Sequence, residues 1–393
     1  MNYSIVDEIG SNNEVGKGGK ESDWNAFIGC VCIVAGAGTL GIPYAIQQGG
    51  WITILFLILA AVMTTYANIK FIECLYYNGS SRKNSMSELA YDAFGRIGLV
   101  MVGFFSSCIS VGTPILYLIL IGDNLQLIFS KFDFGMKNWI YLVAGIMCIP
   151  YILLKTMKDV ALLSLFGVLT VILVVFIVAI ISIIDYPDNR ENLHDIVIIR
   201  YLPISLATVS FSYVLSYSMF TITMLYLIIG FFGYLTYGNN VKSPIYLNLP
   251  DGILINIIII SITLHVIFAL PIYQTASSLE LENYFNINEN KLGRLREFIY
   301  RSLLRIVTAA MEVYIAISIP YFADVMSLLG ALANGTLLVV MPLLLWLRFF
   351  GWSKLENKNC EKVWIIFTLM FSITIAIIGS CDAIISIYND IYK

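Results

Sequence analysis

Val34-Ala35-Gly36-Ala37-Gly38-Thr39-Leu40-Gly41-Ile42-Pro43-Tyr44 lies inside the apolar run Trp24–Gln47, and how it is read decides the fold. Three glycines and a proline oppose a continuous helix, at about 1 kcal/mol per glycine and about 3 kcal/mol for the proline. In a bilayer, backbone groups freed by such a break must face protein, water or a ligand. Secondary transporters build binding sites from helices interrupted at mid-membrane, where half-helix N–H groups point at an anion such as a carboxylate. Gly36 and Gly38 would also let a ligand approach the backbone closely. The same residues would serve as a small-residue packing face of the Gly-x-x-x-Gly kind. From this stretch alone the two readings stand level.

The surrounding chain supplies the membrane. Of 393 residues, 59% are apolar and only 12% are charged, about half the charge of a soluble domain. At a mean hydropathy of +0.83, a soluble globule would expose too much apolar surface to stay dispersed. An all-α polytopic membrane protein is expected. The formal charge of -3 argues against a nucleic-acid surface. The seven cysteines fall mostly inside or at the ends of apolar runs, so neither a disulfide framework nor a metal site is expected. Met1–Asp23 is polar and rich in Gly, Ser and Asn, without the apolar core of a signal peptide. It reads as a disordered cytosolic tail (1–23) ahead of one transmembrane domain (24–388).

Apolar runs follow at Trp51–Tyr76, Ile97–Ile121, Asn138–Leu154 and Val160–Ile184, then at Ile199–Tyr237, Gly252–Ile272, Leu303–Ile319, Asp324–Phe349 and Val363–Tyr388. As one helix, the 39 residues of Ile199–Tyr237 would be about 58 Å long against a core of about 30 Å. Lys and Arg concentrate on the cytosolic side of membrane proteins. Counting the block as two spans puts most of the 23 Lys and Arg inside, including Lys291–Arg305 and Arg348–Lys362. Counting it as one would put both clusters outside. Eleven spans with a cytosolic N-terminus are expected.

In an inverted-repeat transporter a second interrupted helix should occupy the same place in the second half. After five spans that place is the sixth, which holds Tyr201, Pro203, Ser205, Thr208, Ser210, Phe211, Ser212 and Tyr213. It is short, hydroxyl-rich and Pro-bearing.

Ile28-Gly29, Gly36 to Ala45 and Gly49-Gly50-Trp51 together resemble the first-span signature of the amino acid/auxin permease family. Further matches keep that family's order: Tyr117 with Ile121-Gly122-Asp123, Phe232 to Gly238, Pro271, and Ala316 to Phe322 with Ser327 to Ala331. The resemblance implies a five-plus-five inverted-repeat fold with an eleventh span. It also implies amino acid transport driven by a proton or sodium gradient. The substrate backbone would be held at the breaks of the first and sixth spans, here Gly36, Ala37, Gly38 and Thr39 with Phe211, Ser212 and Tyr213.

Two departures matter. Relatives continue the sixth span past its break and add a basic loop before the seventh, whereas here Val214 runs almost directly into Leu215. The sixth span therefore reads as truncated, without the half-helix that would close the site. Sodium-coupled relatives tend to carry Asn four residues before the first glycine, where this chain has Cys32. A thiol is a poor sodium ligand, so proton coupling or facilitated movement is the better candidate.

Ionisable groups at mid-membrane cost about 2.5–3.5 kcal/mol each and need a reason. His265 suits a proton relay, or a neutral imidazole hydrogen-bonded to a neighbouring span. Glu312 reads as a protonated structural group, as one half of an ion pair, or as a coupling carboxylate. Thr263 is a candidate hydroxyl facing the first-span break, and Cys32 completes the candidate ion-coupling set. Tyr and Trp, including Trp51, read mainly as an interfacial belt. The sequence has no protease constellation and no Gly-x-x-x-x-Gly-Lys, so neither an enzyme nor a bound cofactor is expected. The expectation is a secondary amino acid transporter of neutral or broad specificity, in the plasma or a vacuolar/lysosomal membrane. A non-transporting amino acid sensor, or an inactive truncated isoform, is the alternative.

Overall fold

Long runs of Leu, Ile, Val and Phe can cross lipid only if their backbone hydrogen bonds close internally, which a helix achieves within one segment. The computed structural model describes residues 37–79, 83, 85–132, 134–153, 161–189, 191–196, 216–287, 289–356 and 358–392. The expected tail, Cys32, Gly36, Phe211, Ser212 and Tyr213 lie outside the described residues. A 3-10 turn, Ala37–Gly41, leads into α1 (Ile42–Gly49). There follow α2 (Ile52–Leu75), α3 (Met86–Ile128), α4 (Met136–Leu153), α5 (Ala161–Asp185), α6 (Ser216–Tyr237) and α7 (Ile253–Tyr284). The chain ends with α8 (Arg294–Ser318), α9 (Phe322–Leu329), α10 (Met341–Phe350) and α11 (Asn359–Ile391).

Among the described residues, eight helical stretches are long and apolar enough to cross a membrane. A described helix covers every expected span except the first and sixth, but α8, over the expected Leu303–Ile319, is not among those eight. α8 begins earlier than the expected Leu303, and its first half carries Arg294, Arg296, Glu297, Arg301 and Arg305. α9 and α10 form one long rod, Phe322–Phe350, through two π-helical turns, Gly330–Asn334 and Thr336–Val340. The amphipathic stretch before the third span is the first part of α3, capped where Ser85 Oγ accepts from the Glu88 N–H at 3.1 Å. It ends at Gly95 (φ 63°, ψ -142°), a conformation that glycine adopts without strain. The chain then doubles back so tightly that a Cβ on Gly98 would lie 2.3 Å from the Ala90 carbonyl oxygen. Salt bridges to Asp92 and Glu88, both at 2.8 Å, hold the Lys83 ammonium above the ordinary lysine range.

The main apolar core joins α1, α3, α5, α6 and α7, while a second cluster joins α2, the start of α3 and α10. α3 packs most extensively on α7, and α6 packs on α1, α2 and α5. A polar clamp fastens α2 to α10 and α11. Lys70 pairs with Glu361 at 2.9 Å and Glu73 at 3.3 Å, and Trp346 Nε1 donates to Glu73 Oε2 at 2.7 Å.

Glycines set the α1–α6 contact. A Cβ on Gly230 would sit 2.6 Å from Ile46 Cδ1, and one on Gly233 would sit 2.9 Å from Pro43 Cβ. The Phe232–Gly238 signature thus has a packing purpose, giving room to the helix that follows the first break. Gly233→Leu should cost about 1–3 kcal/mol through overpacking. It should lower the thermal unfolding midpoint of the purified protein, whereas Gly103→Ala, where a Cβ meets nothing, should leave it in place.

The loop after α5 straps across this pair of helices. His194 Nε2 donates to the carbonyl oxygens of Tyr234 (3.0 Å) and Leu235 (2.9 Å). The Trp51 and Ile52 N–H groups donate to the Asp195 and Ile196 carbonyls, both at 3.1 Å. Gly50 (φ 80°) permits this, since a Cβ there would lie 2.7 Å from both of those oxygens. Trp51 packs on His194, Phe231 and Tyr234 with ring centroids 4.8–5.9 Å apart.

Candidate functional site

The Gly-Pro stretch passes from a 3-10 turn into an α-helix within its described part. Ala37–Gly41 is a 3-10 turn, and α-helical geometry begins at Ile42 with Pro43 in the first turn. A proline there gives up an N–H that would have had no intrahelical partner. Gly38 and Thr39 are buried, and the turn packs against α6 and a second 3-10 turn, Ile245–Asn248. Of the seven expected substrate-binding residues, the structure therefore places Ala37, Gly38 and Thr39 together on one buried turn.

Behind that turn lies a polar triad that the sequence reading missed. Tyr246, on the 3-10 turn facing Ala37–Gly41, donates its hydroxyl proton to Asn124 Oδ1. Asn124 Nδ2 donates to Thr263 Oγ1 at 2.9 Å, and that hydroxyl donates to the Ile259 carbonyl at 2.5 Å. All three side chains are buried, so each partner offsets a desolvation cost of about 1–3 kcal/mol. Thr263, expected to face the first-span break, bonds instead to Asn124 and the Ile259 carbonyl. The usable signal was Asn124 itself, an amide at the end of the apolar run that carries the Ile121-Gly122-Asp123 resemblance.

Glu312 belongs to a second buried array. Gln274 and Glu282 on α7 meet Glu312 and Arg305 on α8, and Tyr151 of α4 hydrogen-bonds both Ser278 of α7 and Thr308 of α8. Gln274 Nε2 donates to Glu312 Oε2 at 2.6 Å. Tyr151 of α4 shares a hydrogen bond with Thr308 at 2.9 Å. Arg305 Nε donates to Glu282 Oε1 at 2.8 Å, and its Nη1 donates to the Tyr151 carbonyl at 2.5 Å. Glu312 is 1% exposed, and its Oε1 has no hydrogen-bond partner among the described residues. Of the readings open for Glu312, an ion pair is replaced by an amide contact. His265 is equally buried, and its Nε2 has no partner among the described residues.

The family described as "Transmembrane amino acid transporter protein" matches residues 19–222 and 205–385 of this sequence. The chain belongs to that family. The two matched stretches overlap at 205–222, across the Val214–Leu215 junction where a connector reads as missing. The chain is 26% identical to amino acid transporter AVT1J of Arabidopsis thaliana, over 91% of this chain and 89% of the relative. It is 25% identical to the human vesicular inhibitory amino acid transporter, over 88% of this chain and 74% of the relative. Among solved structures, MhsT in complex with L-phenylalanine superposes with a TM-score of 0.55 at 11% identity, covering 91% of this chain and 98% of that one. At that identity the likeness is one of fold, and the fold is that of a helical membrane transporter. Family and fold together support amino acid transport by a multi-pass membrane protein.

Proposed function

We propose that this chain is a proton-coupled secondary transporter of neutral or broadly specific amino acids, built on eleven spans in a five-plus-five inverted repeat with a cytosolic N-terminus. The substrate carboxylate is received at Gly36, Ala37, Gly38 and Thr39, with Phe211, Ser212 and Tyr213 of the sixth span opposite. The observation that carries this reading is the buried non-α turn Ala37–Gly41 in a chain of an amino acid transporter family. Backbone N–H groups there are not all committed to an α-helical ladder and suit a carboxylate. The name of the vesicular relative favours an internal membrane over the cell surface.

Of the four ion-coupling candidates, Glu312 is the proton carrier. Its carboxyl is buried, and one oxygen is held by Gln274 while the other is uncommitted among the described residues. It also stands on a polar column that links α7 to α8. A carboxyl so placed changes its charge by gaining or losing a proton, and that change is the event that couples a proton to conformation. In proteoliposomes, Glu312→Gln should abolish pH-gradient-driven accumulation of amino acid while substrate exchange at equal pH continues. Accumulation that survives the substitution removes Glu312 from the mechanism.

A second reading rests on the sequence, in which a sixth span truncated at Val214–Leu215 would leave a sensor or an inactive isoform. Amino acid binding without flux in wild-type proteoliposomes identifies a sensor, and neither binding nor flux identifies an inactive form. Sequencing the transcript across Val214–Leu215 shows whether the shortened connector is genuine.

A further inference from the structure

Arg301 and Arg305 lie one turn apart on the buried face of α8, but their surroundings differ. Arg305 is clasped by Glu282 and the Tyr151 carbonyl. Arg301 is 4% exposed and pairs through Nη1 with Glu297 Oε1 at 3.0 Å. Its Nε has no hydrogen-bond partner among the described residues. A buried guanidinium N–H left unpaired is costly, so this group has unused capacity to bind an acceptor.

Beside it a groove of about 450 Å³ opens between the end of α4 and the first turns of α8, lined by Leu153, Arg294, Leu295, Glu297, Phe298 and Arg301. Arg294 is exposed and has no ion-pair partner among the described residues. Glu297 is the sole acid among these lining residues and is already paired to Arg301, so the groove keeps an unmatched positive charge. One wall is apolar and open, with Leu153 64% and Leu295 73% exposed, and it continues along α8 through the exposed Ile299 and Leu303. That face looks outward from the bundle, where hydrocarbon lies.

We propose that this groove binds an anionic phospholipid, its phosphate on Arg294 and Arg301 and its acyl chains along Leu295, Ile299 and Leu303. The planar guanidinium fork matches phosphate oxygens. Basic pockets between spans, on the side where Lys and Arg accumulate, are suited to acidic headgroups. A soluble phosphate would use the same two arginines but gain nothing from the apolar wall, so the two chemistries in one groove select a lipid.

The test uses the full-length protein, purified in detergent and analysed by native mass spectrometry with added lipid. Wild type should retain phosphatidylglycerol in preference to phosphatidylcholine. Arg294→Glu, a change at an exposed position, should lower phosphatidylglycerol retention about tenfold and leave phosphatidylcholine retention unchanged. Arg301→Lys keeps a cation for Glu297 but loses the fork, and should also weaken phosphatidylglycerol retention. Soluble glycerol phosphate at the same concentration should not displace the lipid. Equal retention of the two lipids, an unaltered Arg294→Glu protein, or displacement by glycerol phosphate would overturn the proposal.

Discussion

Gly38→Val protein should reach the membrane in normal amount and bind no measurable amino acid. Gly38 is buried on the 3-10 turn, between α6 and the Ile245–Asn248 turn. A branched side chain there would project into the space through which a ligand must approach the backbone, and would disfavour the turn itself. An affinity loss on the order of a hundredfold, about 2.7 kcal/mol, is expected, and Gly36→Val should behave alike. Substrate-dependent thermal stabilisation of purified protein reads the affinity, and membrane fractionation reads insertion. Wild-type affinity in the Gly38→Val protein would show that this turn is packing and not a site.

The second large effect concerns stability. Arg305 is fully buried, and its partner Glu282 is 7% exposed. Removing the cation alone, as Arg305→Ala, strands a carboxylate in a low-dielectric interior and should cost about 3–5 kcal/mol. It also takes a donor from the Tyr151 carbonyl. Removing both charges with volume kept, as Arg305→Met with Glu282→Leu, should restore most of the lost stability, because neither ion then has to be desolvated. Thermal unfolding in detergent should rank wild type and the double variant close together, with Arg305→Ala well below. A double variant as unstable as the single one would locate the cost in packing and not in the unpaired charge.

These expectations divide by how far apart the contributing residues stand in the chain. The length of an apolar run and a glycine–proline cluster act over a few neighbouring residues. α2, α4, α6 and α11 were therefore legible before any contact was known. A polar residue within an apolar run announces that it has a partner, because lipid offers none, but not which partner. Thr263 shows the difference: its hydroxyl was expected at the first-span break, and it bonds to Asn124, 139 residues away. Trp51 stacks on His194, 143 positions later in the chain, a contact that no local pattern announces.

By itself the sequence determined that this protein is an all-helical membrane transporter of the amino acid family. Each of those properties follows from local backbone chemistry and the solvent the chain must cross. Only the tertiary structure decided that Glu312 meets Gln274, that Arg305 is matched by Glu282, and that Asn124, Tyr246 and Thr263 share one buried network. Such pairings depend on how each helix is rotated and where it stands beside its neighbours. Rotation and position come from side-chain packing over the whole bundle, such as α1 seated on Gly230 and Gly233, and not from any one segment.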